Sequence, residues 1–225
     1  MQWDEGTREG IETALNEADV LGIQLDPEGA WCDVLVHVQA LAESGPLDRD
    51  ARRVLRLARP GQVSILLRAD RAGKAGYGPV IPLSGLDVVE DFFASLSWSG
   101  AMYGWKFLDD RSLTRDWPAR PSLSVQVRPG TASHSLYWFN ECGRAEGDTS
   151  VSYLIEGTVT FEDLEVMRAD AVPERLDEFI ADGQRQWQAF FGHDERLSGE
   201  AQHAAQNGAP SWRPYVRSPA TSDGL

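Results

Sequence analysis

The residue best placed for covalent chemistry is Cys142, in the run Asn140-Glu141-Cys142-Gly143 at the end of an apolar segment. A cysteine at a strand end before glycine can reach solvent, and a histidine partner would lower its pKa toward the thiolate. His134 lies upstream on the same segment. Eight residues of strand span about 26 Å, so another segment would have to bring the two together. A structural thiol is the simpler reading, because free cysteine behaves as a small core residue. Asp109-Asp110 is a carboxylate pair of the kind that serves glycosidic chemistry. Neighbours on a strand point to opposite faces, so one of the two could line a given cleft.

Other patterns fall short of a known chemistry. Ser84-Gly85 lacks the GxSxG frame of a nucleophile elbow and reads as a helix cap. Gly73-Lys74-Ala75-Gly76-Tyr77-Gly78 has neither the Gly-Lys-Ser/Thr of a phosphate loop nor the GxGxxG order, and reads as a connector. The four histidines (His37, His134, His193, His203) are far apart, and there is no HExxH or paired CxxC. Glu162-Asp163-Leu164-Glu165 lacks the alternation and glycine of a calcium loop. The expectation is no catalytic constellation, no metal and no cofactor.

The strongest binding candidate is the aromatic stretch holding Trp98, Tyr103, Trp105, Lys106, Asp109, Asp110 and Trp117, joined by Trp138 with Tyr137 and Phe139. Trp and Tyr beside acids can stack on sugar rings or anchor a protein partner. The competing reading is that these large rings fill a seam inside the protein. Lys106, between Trp105 and Phe107, should face water or a carboxylate while they face inward.

Charge narrows the partners. Among 225 residues, 35 are acidic and 21 are Lys or Arg, a net of −14. Residues 1–100 and 101–225 each carry −7, so this is no acidic tail. The field repels phosphate backbones, which argues against nucleic acid, and favours cationic partners. Nineteen of the 21 basic residues are Arg, a bias that suits a GC-rich bacterial genome. The polar start MQWDEGTREG and the lack of an 18-residue apolar run point to a soluble cytoplasmic protein without a membrane segment. Cys32 and Cys142 are expected as free, buried thiols.

Periodicity predicts helices over 7–19 with Thr7 as cap, 84–96 with Ser84 as cap, and 173–191 with Pro173 in its first turn. In the last helix Leu176, Phe179, Ile180, Trp187, Phe190 and Phe191 share one apolar face. Strands are expected at 20–25, 31–40, 53–58, 62–68, 122–128, 134–140, 151–156 and 159–168, with Gly104–Leu108 a further candidate. Arg59-Pro60-Gly61 separates the third from the fourth. A weak internal echo accompanies them. Ile23–Pro27 aligns with Val125–Pro129, Val34–Val36 with Leu136–Trp138, and Arg68-Ala69-Asp70 recurs as Arg168-Ala169-Asp170.

The fold class is therefore α+β, with two similar antiparallel β units and about three helices. Residues 1–97 form the first unit and 98–192 the second, sharing a core. Residues 193–225 read as an extended or poorly ordered tail that Trp212 and Tyr215 could strap down. The expected function is non-enzymatic binding of a protein partner or of a second copy. One concrete form is an immunity-type inhibitor that neutralises a basic toxin domain. The alternative is a small-substrate hydrolase with its site near residues 103–142.

Overall fold

The computed structural model describes residues 3–199, apart from residues 27, 29, 46, 49, 70–77, 102–103, 108–113, 130–132 and 147–148. Three helices form among the described residues. Helix α1 spans Glu5–Ala14, and its cap is Asp4, whose Oδ1 accepts from Thr7 N–H at 2.8 Å. Thr7 therefore receives the cap instead of supplying it, and the helix starts earlier than expected. Helix α2 spans Leu86–Ala94 behind Gly85, with no side-chain cap, so Ser84 has no capping role. Helix α3 spans Leu176–Phe191. Pro173 lies outside it, because Pro173–Glu174 forms a short strand instead.

The strands are β1 (Asp19–Leu25), β2 (Trp31–His37), β3 (Arg52–Ala58), β4 (Gln62–Ala69), β5 (Trp98–Ala101), β6 (Lys106–Phe107), β7 (Leu123–Gln126), β8 (His134–Glu146), β9 (Thr149–Phe161), β10 (Asp163–Arg168) and β11 (Pro173–Glu174). They build two antiparallel sheets. One runs β1-β2-β3-β10-β11; the other runs β5-β8-β9-β4-β7, with β6 also paired to β8. The fold is α+β.

A single bent ribbon joins the sheets. Residues 53–58 pair with 163–168 in one sheet, and 63–69 with 153–159 in the other. The register slips by one residue between them, as at a β-bulge, the device that turns strands from one sheet into another. Arg59, at φ 50°, sits on the bend. Gly61 N–H donates to Thr160 O at 2.8 Å, and Glu162 N–H to Ala58 O at 3.0 Å. Arg59-Pro60-Gly61 thus redirects the chain without reversing it. The break expected near residue 157 lies instead at Glu162, and Gly157 is inside β9.

The echoed segments are not equivalently paired. β1 pairs β2 as a hairpin, whereas β7 is separated from β8 by β4 and β9. Arg68 lies on β4 and Arg168 on β10, in different sheets. Strands from both sides of residue 97 enter both sheets, and one apolar core runs from Trp3 to Phe179. That core gathers Val34, Val36, Leu55 and Leu57 from one sheet with Ile65, Leu67, Ile155 and Val159 from the other.

Candidate interaction surface

The aromatic stretch divides between core and edge. Trp138 is fully buried on β8, opposite Gly157. A Cβ on Gly157 would overlap the Trp138 indole, so the ring occupies the space that glycine leaves. Its Nε1 has no hydrogen-bond partner among the described residues. Trp98, on β5, covers its own register partner Gly143 in the same way. Trp105 is buried, and its Nε1 donates to Ala18 O at 3.0 Å. Lys106 meets the expected carboxylate: its Nζ lies 2.5 Å from Glu12 Oε2, and Phe107 N–H donates to Glu12 Oε1 at 2.8 Å. Half-buried Trp117 donates from Nε1 to Glu156 Oε2 at 2.8 Å, and Tyr137 Oη donates to the same oxygen at 2.9 Å. Tyr103, Asp109 and Asp110 lie outside the described residues.

His134 and Cys142 are not brought together. Both lie on the core side of β8, eight residues apart. The His134 ring stacks on Trp3 at 4.1 Å and leans on Phe161 and Phe107. Cys142 is buried, and burial pushes its thiol up to about 12. Such a thiol is not ionised at neutral pH, so it is a poor nucleophile. No group of three or more His, Cys, Asp or Glu able to hold a metal occurs among the described residues. None of the described helices is long and apolar enough to cross a membrane.

The exposed feature lies on α3. The apolar face read from the sequence is only partly buried. Phe179, Gly183, Gln186 and Ala189 are covered, while Phe190 is 53% exposed and Phe191 74%. The helix crosses α1 through two glycines. A Cβ on Gly10 would come within 2.7 Å of Ile180 Cγ2, and one on Gly183 would enter the Ala14 backbone. Trp187 Nε1 donates to Thr13 O at 3.0 Å, at the last turn of α1. At roughly 100° per residue, Phe190 falls about 20° from the azimuth of Phe179. Its exposure comes from position along the axis, because the last turn of α3 runs beyond the end of α1.

Trp187, Phe190 and Phe191 stand at the i, i+3 and i+4 spacing that makes side chains meet on a helix. Their centroids are 5.9, 6.4 and 5.4 Å apart, so the three rings form one cluster. Acids surround the two-helix layer. Residues 4–17 hold Asp4, Glu5, Glu9, Glu12 and Glu17 against Arg8, with Lys106 paired to Glu12, and α3 holds Asp177, Glu178 and Asp182 against Arg185 and the cap residue Arg175. No basic residue stands in the last turn of α3, where the carbonyl end of the helix dipole is negative. No family model matches the chain, no curated protein matches its sequence, and no solved structure matches its fold.

Proposed function

We propose that the protein acts by binding, and that it captures a cationic protein partner on the α1–α3 layer. The observation that carries this reading is the cluster of exposed Phe190 and Phe191 against half-buried Trp187 on a helix pair rich in acids. Large aromatic rings at the centre of a contact supply most of its energy, and surrounding charge supplies speed and selectivity. A net charge of −14 raises the encounter rate with a basic surface. The concrete form is an immunity-type inhibitor that neutralises a basic toxin domain.

Co-expression with the product of the adjacent gene tests this. The expected result is rescue of growth, a 1:1 complex on sizing chromatography, and association that slows steeply with salt, since exposed charges are screened within about 8 Å at physiological ionic strength. A neighbour that is not toxic, or a complex indifferent to both salt and Phe191→Asp, would remove the reading.

A further inference from the structure

The outer face of the second sheet carries a charge that the fold does not need. Trp138 and Gly157 meet in the core. Their neighbours Phe139 and Glu156, register partners on β8 and β9, therefore point the other way. Leu66 on β4 flanks Glu156 on its other side, and Tyr137 lies two residues from Phe139 on the same face. Trp117 comes over them from a turn in which its N–H donates to Thr114 O at 3.0 Å. Glu156 and Tyr137 are both buried there.

The two oxygens of Glu156 differ. Oε2 takes both donors, the Trp117 indole at 2.8 Å and the Tyr137 hydroxyl at 2.9 Å. Oε1 accepts from no described residue. It is also not among the sealed side-chain atoms that lack a partner, so solvent reaches it. Among the described residues no cation pairs with the group. Arg68, on the same face of β4, forms no ion pair with it, and Lys106, opposite Tyr137, is held by Glu12. Arg115 and Arg120, on either side of Trp117, are exposed. Buried carboxylates are ordinarily paired or bound to a metal, because an uncompensated one is costly. A glutamine oxygen would accept the same two hydrogen bonds without that cost, so tethering Trp117 does not account for the charge.

We propose that Glu156, framed by Trp117, Tyr137 and Phe139, is a binding site for a guanidinium group. An N–H of the ligand donates to Oε1, and the planar cation lies against the rings. A carboxylate backed by rings is poorly screened by water, so it attracts a cation more strongly than one on an open surface. Guanidinium suits it better than ammonium, being flat, weakly hydrated and able to stack on aromatic faces. Calcium does not suit it, because that ion takes about six to eight oxygen ligands, and the indole and hydroxyl here turn their hydrogens toward the carboxylate. The ligand is an arginine side chain of another protein or a small free guanidine. The site uses no residue of the α1–α3 layer and stands whether or not that layer binds a partner.

Titration of the full chain, followed by NMR at the Trp117 indole N–H, tests it. The signal is assigned by its loss in Trp117→Phe. The probes are acetyl-arginine amide, its neutral isostere acetyl-citrulline amide, potassium chloride and calcium chloride. The expected result is a saturable shift with the arginine probe and none with the citrulline probe. Affinity should fall about tenfold or more in Glu156→Gln, which keeps an acceptor for both ring donors. A drift no larger than potassium gives, an equal response to the citrulline probe, a shift driven by calcium instead, or undiminished affinity in Glu156→Gln overturns the proposal. If Glu156→Gln does not fold, the first two probes still decide, since they differ in the charge of one end group. A capped glycyl-arginyl-glycine peptide then separates the sources. Binding as tight as the arginine probe's assigns the site to a partner's side chain, and rejection assigns it to a small free ligand; either result upholds guanidinium recognition.

Discussion

At the scale of single residues, the polar groups under most constraint hold the two sheets and α3 in place. Arg53 and Glu174 form an ion pair at 2.6 Å with side chains 3% and 2% exposed. Arg53 Nη1 also donates to Asp50 O and Arg52 O. The pair ties β3 to the two-residue strand that leads into α3. Removing Glu174 leaves the buried Arg53 guanidinium with only the more exposed Asp48, 3.4 Å from its Nη2, at a cost of up to about 3–5 kcal/mol. Glu174→Gln should lower stability by up to that much in urea denaturation, and restoration by Arg53→Met on the same chain would show that the buried guanidinium left without its close partner is the cause. Asn140, fully buried, accepts from Val20 N–H at 3.1 Å and donates to Val20 O at 3.2 Å, so its amide acts as a strand partner between the sheets. Asp19 is one residue away. Burial raises its carboxyl from 3.8 to about 6, and its Oδ1 has no partner among the described residues. The folded state therefore keeps this proton over a window in which the unfolded chain has lost it, so stability falls as pH rises from about 4 to 6. Asp19→Asn should be more stable than the native protein by about 2–3 kcal/mol above pH 6, with the gain vanishing toward pH 4. A gain independent of pH would show that the carboxylate carries no desolvation cost. None of these contacts was legible in the sequence: Arg53 and Glu174 are 121 residues apart and Val20 and Asn140 are 120 apart, and only tertiary pairing joins them.

Elements were more legible than their partners. All three helices stand where periodicity placed them, with ends shifted because the caps were assigned by residue type alone. Asp4 competes with Thr7 for the same N-terminus and wins, and Pro173 serves a strand edge where its missing N–H is harmless. The stripe on α3 was legible as a stripe, but azimuth cannot show how far a neighbouring helix extends, so the exposure of Phe190 and Phe191 was invisible. The glycines that set the crossing were equally silent. Gly183 reads as a weak point in a helix, since alanine there ordinarily gains about 1 kcal/mol. Here the Ala14 Cα and Cβ occupy the place of its Cβ, and backbone cannot rotate away. The overpacking cost of about 1–3 kcal/mol should win, with the helices forced apart. Gly183→Ala is expected to lower the thermal midpoint and to weaken the hydrogen bond that holds Trp187 to Thr13. A raised midpoint would mean that the crossing is looser than its geometry.

For the whole molecule, sheet order was beyond reach, because the ribbon β3-β4 with β9-β10 joins residues about 100 positions apart, and nothing local encodes such pairing. The internal echo does not carry over into how the strands pair. Net charge, by contrast, is fixed by sequence, and its meaning is open to experiment. Acidity can serve solubility alone, in which case any patch is equivalent, or it can serve recognition, in which case the α1–α3 layer is special. Two variants with the same charge change separate these. Glu9→Lys with Gln188→Lys alters exposed sites on that layer, the second one turn from Phe191; Glu90→Lys with Asp91→Asn alters α2. Glu90 is held above its ordinary pKa by burial and then by Asp87 and Asp91, so relief of repulsion should stabilise the α2 variant slightly. Both variants should stay within about 0.5 kcal/mol of the native stability. Association with a basic partner should slow by about tenfold or more at low salt for the first pair, with little change for the second, and the difference should shrink as salt is raised. Equal slowing by both would assign the charge to long-range attraction without a preferred face, and would leave the aromatic cluster as the part of the surface that selects a partner.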